Sequence, residues 1–318
     1  MLSASPAKQA NMPQFSDLPR ELRDMIYMAI ITWERPRPEV AQTTDSWNWY
    51  RTGSSSSGCH FALESPPSTC ANVLAVNRQV NLEMRQALQR ARRAELLVAR
   101  IDCIAKMMAR REAGYYFTWL SIPLVQRSKA AAKSGGAVRV WPSVPVVGRL
   151  LASSTRKVWV NDFPTCIEQL QVDIRLYDQD LENGAHSESW TVMNISWAVC
   201  AALKRICDDS KETDSWPASL AIDTLVLNVL WPDAPKSTQD GTEKWKDSAR
   251  AVTRELVNVW NKLWSGDEYR SRYYGGLLER IKRVRVCLDG VLVRERELRL
   301  ELERGQAERR RIAQRVGW

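Results

Sequence analysis

Histidine is nearly absent from this chain: His60 and His186 are the two present in 318 residues. The seven cysteines, Cys59, Cys70, Cys103, Cys166, Cys200, Cys207 and Cys287, are scattered and form no C-x-x-C pair. A structural zinc site needs four such ligands at short spacings, so no metal is expected. No stretch approaches the roughly 20 apolar residues of a membrane-spanning helix, so no membrane partner is expected. Met1 to Met12 is polar and lacks the apolar core of a signal peptide. The expected location is therefore cytoplasm or nucleus, with the cysteines as free thiols that serve mostly as small buried hydrophobes. The phosphate loop G-x-x-x-x-G-K-[ST], the dinucleotide fingerprint G-x-G-x-x-G and the nucleophile elbow G-x-S-x-G are all missing. His60 follows Cys59 in a Ser-rich loop, and neighbours in sequence do not by themselves make a catalytic dyad. His186 lies in the polar run Asn183 to Ser187 and reads as a solvated loop residue. With no nucleophile, base pair or cofactor loop to name, a non-catalytic protein without cofactors is expected.

Phenylalanine is scarce at four residues, whereas tryptophan reaches fourteen. The apolar share of 44% suits a folded globular chain. The net charge of +9 conceals three blocks. Arg78 to Arg111 has nine basic residues against three acidic, Arg127 to Lys157 seven against none, and Glu168 to Glu243 five against fourteen. Blocks of opposite sign steer partners or pack against each other. Arg127, Lys129, Lys133 and Arg139 surround Gly135-Gly136, a basic loop suited to phosphates, with Trp141 and Trp159 near enough to stack on bases. Nucleic-acid binding there is an alternative, disfavoured by the acidic block that follows. The acidic group Asp173, Asp178, Asp180 and Glu182 allows Mg²⁺ in principle, although a solvated loop is the commoner meaning.

The first periodic element is Phe15 to Trp33. Ser16 and Asp17 offer N-caps, Pro19 suits a first turn, and Leu22, Ile26, Ile30 and Trp33 form one helical stripe. Met25 to Ile31 is seven non-polar residues in a row, so cover on two sides is expected. Residues 36–71 carry Ser54 to Gly58 and Pro66-Pro67 with no sustained period, and read as a loop or insertion. A second helix has Val76, Val80, Met84, Ala87 and Ala91 on one face, with Arg78, Arg85, Arg92 and Arg93 elsewhere. From Glu95 to Ile104 both periods fit, and strand is preferred. An internal repeat follows. Ile167-x-x-Leu170-x-Val172-x-Ile174 returns as Ile222-x-x-Leu225-x-Leu227-x-Val229 and as Ile281-x-x-Val284-x-Val286-x-Leu288, each alternating as a strand. Amphipathic helices lie between, on Trp190, Met193, Trp197, Cys200, Leu203 and Cys207, then Trp245, Ala249, Val252, Leu256, Trp260 and Leu263. Strand-helix-strand order predicts an α/β fold with a mainly parallel sheet. The predicted division is a helical module over 1–94, an α/β domain over 95–290 and a charged terminal helix over 291–318.

Phe15-Ser-Asp-Leu18-Pro19-Arg-Glu21-Leu22-Arg-Asp-Met-Ile26-Tyr27 resembles the opening of F-box-like domains, in the form carried by a large family of filamentous fungi. Val73 to Val80, with Asn77-Arg78-Gln79, then Glu83, is similar to a second helix of those proteins. Thr118 to Pro123 and Val172 to Arg175 also look like that group. The resemblance implies a module docking on the Skp adaptor of a cullin ubiquitin ligase, with the C-terminal α/β region presenting a target protein. Leu18, Pro19, Leu22, Ile26, Tyr27 and Ile30 are the partner-facing residues it implies. Target recognition is expected in loops such as Asp178 to Glu188 and Trp231 to Gly241. The gap between the two motifs leaves a second reading open, an interaction scaffold with a degenerate module.

Overall fold

The computed structural model describes residues 15–44, 49–51, 58–64, 71–107, 113–123, 166–178, 193–208, 221–230, 239–265 and 273–300, with five isolated positions up to 311. It is a mixed α/β protein built on an eight-stranded sheet of order β1-β2-β4-β3-β5-β6-β7-β8. The strands are β1 (Trp49–Arg51), β2 (Cys59–Ala62), β3 (Val98–Met107), β4 (Ala113–Ser121), β5 (Cys166–Asp178), β6 (Ala221–Leu230), β7 (Ile281–Leu288) and β8 (Val291–Glu297). The helices are α1 (Arg20–Ile31), α2 (Arg78–Arg93), α3 (Met193–Asp208), α4 (Gln239–Ser265) and the single turn α5 (Leu277–Arg280). None of the described helices is long and apolar enough to cross a membrane.

The three repeat blocks are β5, β6 and β7. They are parallel neighbours, as the strand-helix-strand order requires, and β3 extends them on the far side of β5. Alternation decides the faces. Leu170, Val172 and Ile174 point to one side with Ile101 and Cys103 of β3, Leu225 and Leu227 of β6, and Val284 and Val286 of β7. The apolar stripes of α3 and α4 close over that side, with Trp197, Leu203, Leu256 and Trp260 buried in one continuous core.

Two expectations need correction. Residues 36–71 are more than an insertion, because β1 and β2 lie within them and extend the sheet beyond β4. Gly58, immediately before β2, has φ +62°, and a Cβ there would sit 2.5 Å from the Ala113 carbonyl oxygen, so only glycine fits. The segment from Val291 does not begin as a helix either. Asp289 and Gly290, both with positive φ, turn the chain back into β8, antiparallel to β7. This two-residue turn matches the twist of the strands it joins. Helix follows at 298–300, where Leu298 drops into the main core.

Candidate docking surface

Helix α1 lies along α2, and both of its buried side chains carry polar groups. Arg23 and Tyr27 are its buried residues, while Leu22, Met25 and Ile26 face solvent at 46, 67 and 38% exposure, with Trp33 beyond the helix end at 52%. The cause is one carboxylate on α2. Glu83 accepts from Arg23 Nε at 3.0 Å and Nη2 at 2.8 Å, from the Tyr27 hydroxyl at 3.0 Å and from Gln79 at 3.1 Å. Arg20 adds an ion pair to it at 3.0 Å. Arg23 also donates to the Ser16 and Leu18 carbonyls, which fastens the turn Phe15–Asp17 to the helix start. Arg20 and Arg90 both reach Asp24.

Charge-assisted bonds of this kind fix geometry as well as energy. The Arg23 fork, aided by Gln79 and Tyr27, outweighs burial and holds the Glu83 carboxyl down at about 2. Burial, with the adjacent Glu83 carboxylate, pushes the Tyr27 hydroxyl up to about 12. Burial works to raise Asp24, but its bonds to Arg20 and Arg90 leave it below the ordinary carboxylate range. The Asn77 side chain accepts from the Val80 N–H at 2.8 Å and caps α2. The Asn77-Arg78-Gln79 motif and Glu83 thus supply a cap and two members of the node.

Of the six predicted partner-facing residues, Pro19, Leu22 and Ile26 are exposed and Leu18 is half-buried. Tyr27 is not partner-facing: it is 1% exposed because its hydroxyl seeks Glu83. Ile30 is half-buried against the α1–α2 core. Met25 and Trp33 take their places on the outward face. Neither Ser16 nor Asp17 caps α1; the cap position is Pro19, which has no side-chain bond to give. Among the described residues α2 covers one side of α1, and the opposite face is open.

The segment after α1 fixes this module to the sheet. Arg35 N–H donates to Leu120 O at 2.9 Å, Glu34 pairs with Arg100 and Arg37 with Asp173 at 2.6 Å, and Lys106 donates to Thr43 at 3.3 Å. Beneath it, on the sheet face opposite α3 and α4, Asp102, Asp173, Asn228 and Cys287 stand in register across β3, β5, β6 and β7. Asp173 receives Arg37, Gln171 and Asn228, and Asp102 receives Arg175, which also bonds Pro38 O. Burial raises the Asp102 carboxyl despite Arg175. Asp173 ties the segment after α1 to the sheet, and no group of three acidic, His or Cys side chains converges among the described residues, which do not include Asp180 and Glu182.

Five cysteines, Cys59, Cys103, Cys200, Cys207 and Cys287, are buried free thiols, and burial pushes the Cys103 thiol well up. His60 belongs to β2 rather than to the Ser-rich loop, and stacks on Tyr116 at 4.8 Å. Arg127, Lys129, Lys133, Arg139, His186 and residues 179–188 and 231–238 of the two predicted recognition loops lie outside the described residues; Asp178 ends β5, and 239–241 already belong to α4 rather than to a loop. Comparison with known protein families, curated proteins and solved structures finds no match.

Proposed function

We propose that this chain is a non-catalytic protein-interaction adaptor that docks a partner on the outward face of α1. The supporting observation is the open strip of Pro19, Leu22, Met25, Ile26 and Trp33 on a helix whose opposite side is pinned by Glu83. A contiguous exposed apolar strip on a well-anchored element is the usual mark of an interface. The partner implied by the F-box-like resemblance is the Skp adaptor of a cullin ubiquitin ligase, and the α/β region would present a target.

One observation favours the scaffold reading over the ligase reading. Between α1 and α2 the chain leaves the module to supply the sheet-bound segment and strands β1 and β2, so the module is not one continuous stretch. Purified chain and purified Skp adaptor decide between them by calorimetry. Saturable binding, lost at least about tenfold in Leu22→Asp and Ile26→Asp with unchanged circular dichroism, supports the ligase reading. No binding by the unaltered chain removes the ligase and leaves the scaffold.

A further inference from the structure

A second surface of the helical module points in another direction and has a different chemistry. On α2 the residues Arg78, Leu82, Arg85, Gln89 and Arg92 recur at spacings of four, three, four and three, one continuous stripe, with Arg93 beside its end. All six are exposed, and Leu82 is 59% exposed. Arg92 is engaged by Glu168. Arg78, Arg85 and Arg93 have no ion-pair partner among the described residues. At 1.5 Å per residue these three guanidinium stems leave the axis about 10.5 and 12 Å apart.

The bland account of such a stripe is dipole complementation plus solubility. It fits Arg93, in the last turn, where a cation is favourable. It does not fit Arg78, the first residue of the helix, where the positive end opposes it and no acidic side chain compensates in the first turn. Solubility accounts for charge but not for Leu82 in the middle of the stripe, nor for Val76, 67% exposed just before the helix. The stripe carries arginine throughout and no lysine, and arginine is the residue whose planar fork matches a carboxylate in bidentate fashion.

We infer that this arginine stripe is a docking surface for an acidic amphipathic helix of a partner protein. Arg78 and Arg85 are seven residues apart, as are Leu82 and Gln89, so a partner helix matches when carboxylates recur every seventh residue beside an apolar position. Leu82 decides between the two polyanionic classes. A phosphate backbone gains nothing from an exposed leucine, whereas a protein helix covers it with its own apolar residue. The α1 outward face lies opposite α2, so the two surfaces do not overlap, and this inference stands whether or not α1 docks its proposed partner.

The test is anisotropy of a labelled three-heptad helical peptide, with glutamates and leucines each at seven-residue spacing, added to the full chain. Single-stranded and duplex DNA serve as competitors. The expected result is saturable binding that Arg85→Glu weakens by about tenfold and Leu82→Asn by about threefold. Leu22→Asp on α1 leaves it unchanged, so a failure of the α1 proposal does not register here. Absence of saturable binding by the unaltered chain overturns the inference. Displacement by DNA, together with indifference to Leu82→Asn, overturns it in favour of a nucleic-acid surface. All substituted side chains are exposed, and thermal melts confirm that each variant is folded.

Discussion

Around Glu83 the helix pair gathers seven buried apolar side chains among the described residues, from Tyr27 to Leu97. The sheet with α3 and α4 buries one cluster that runs from Cys59 to Leu298 and takes in six of the eight strands. The first region has little apolar area and takes its geometry from hydrogen bonds to a single carboxylate. The second has ample apolar area and needs no polar group in its centre. The comparison teaches that α1 can afford to leave leucine, methionine and isoleucine in solvent because its attachment does not depend on them.

The largest effect is expected in the sheet. Leu225→Ala, at a fully buried position of β6, should cost about 3 kcal/mol through lost burial and the cavity left behind. Denaturant melts should show it, and hydrogen exchange should report faster opening in β5, β6 and β7 together. If α1 loses protection to the same degree, the two regions are one cooperative unit and the contrast fails.

Glu83→Gln comes next, at about 2 kcal/mol, because the Arg23 fork loses its charged acceptor. Its exchange signature should be confined to α1 and α2. The pH dependence sharpens this. Glu83 has a folded-state carboxyl held down at about 2 against an ordinary value near 4.5, so its contribution is present above about 4.5 and is lost as pH falls toward 2. Protection of α1 should fall across that window in the native chain and fall less steeply in Glu83→Gln, where the lowered Asp24 carboxyl still titrates against Arg20 and Arg90. The smallest effect is a gain. Glu95 ends α2 at φ 55°, with Leu96 N–H donating to Ala91 O at 2.9 Å and Glu95 N–H to Arg92 O at 3.1 Å. Glycine is the residue this cap favours, so Glu95→Gly should stabilise the helix pair by about 0.5–1 kcal/mol in the same melts.

Strands β5, β6 and β7 were readable because each is long enough to alternate, as in Leu170, Val172 and Ile174, and because these parallel neighbours repeat one pattern, whereas β4 is buried almost without alternation and was not anticipated. Strands β1 and β2 are three and four residues long and owe their place to β4, so nothing local announces them. Strand β8 is an edge strand exposed along nearly its whole length, so its alternating Arg and Glu looked like a solvated helix. The signal that would have corrected this was Asp289-Gly290, a hairpin dipeptide between alternating runs. On α1, apolar periodicity pointed to the face that proved to be outside. The inner face was legible as a polar stripe instead, Arg20, Arg23, Asp24 and Tyr27, matched by Gln79, Glu83, Gln86 and Arg90 on α2. Two polar stripes of complementary charge, separated by a long gap, carry the attachment that an apolar search overlooks.

The tie between Arg37 and Asp173 joins residues 136 positions apart. A ribosome adding roughly 5–20 residues each second needs about 7–27 s to make Asp173 once Arg37 has been made. Asn77 and Glu83 emerge much sooner, so α1 and α2 can pair while the anchor beneath them is still unmade. The nascent chain therefore exposes its apolar strip before the sheet exists to hold it in place. The order of synthesis makes that strip available to a chaperone or an early partner before it is available to a late one.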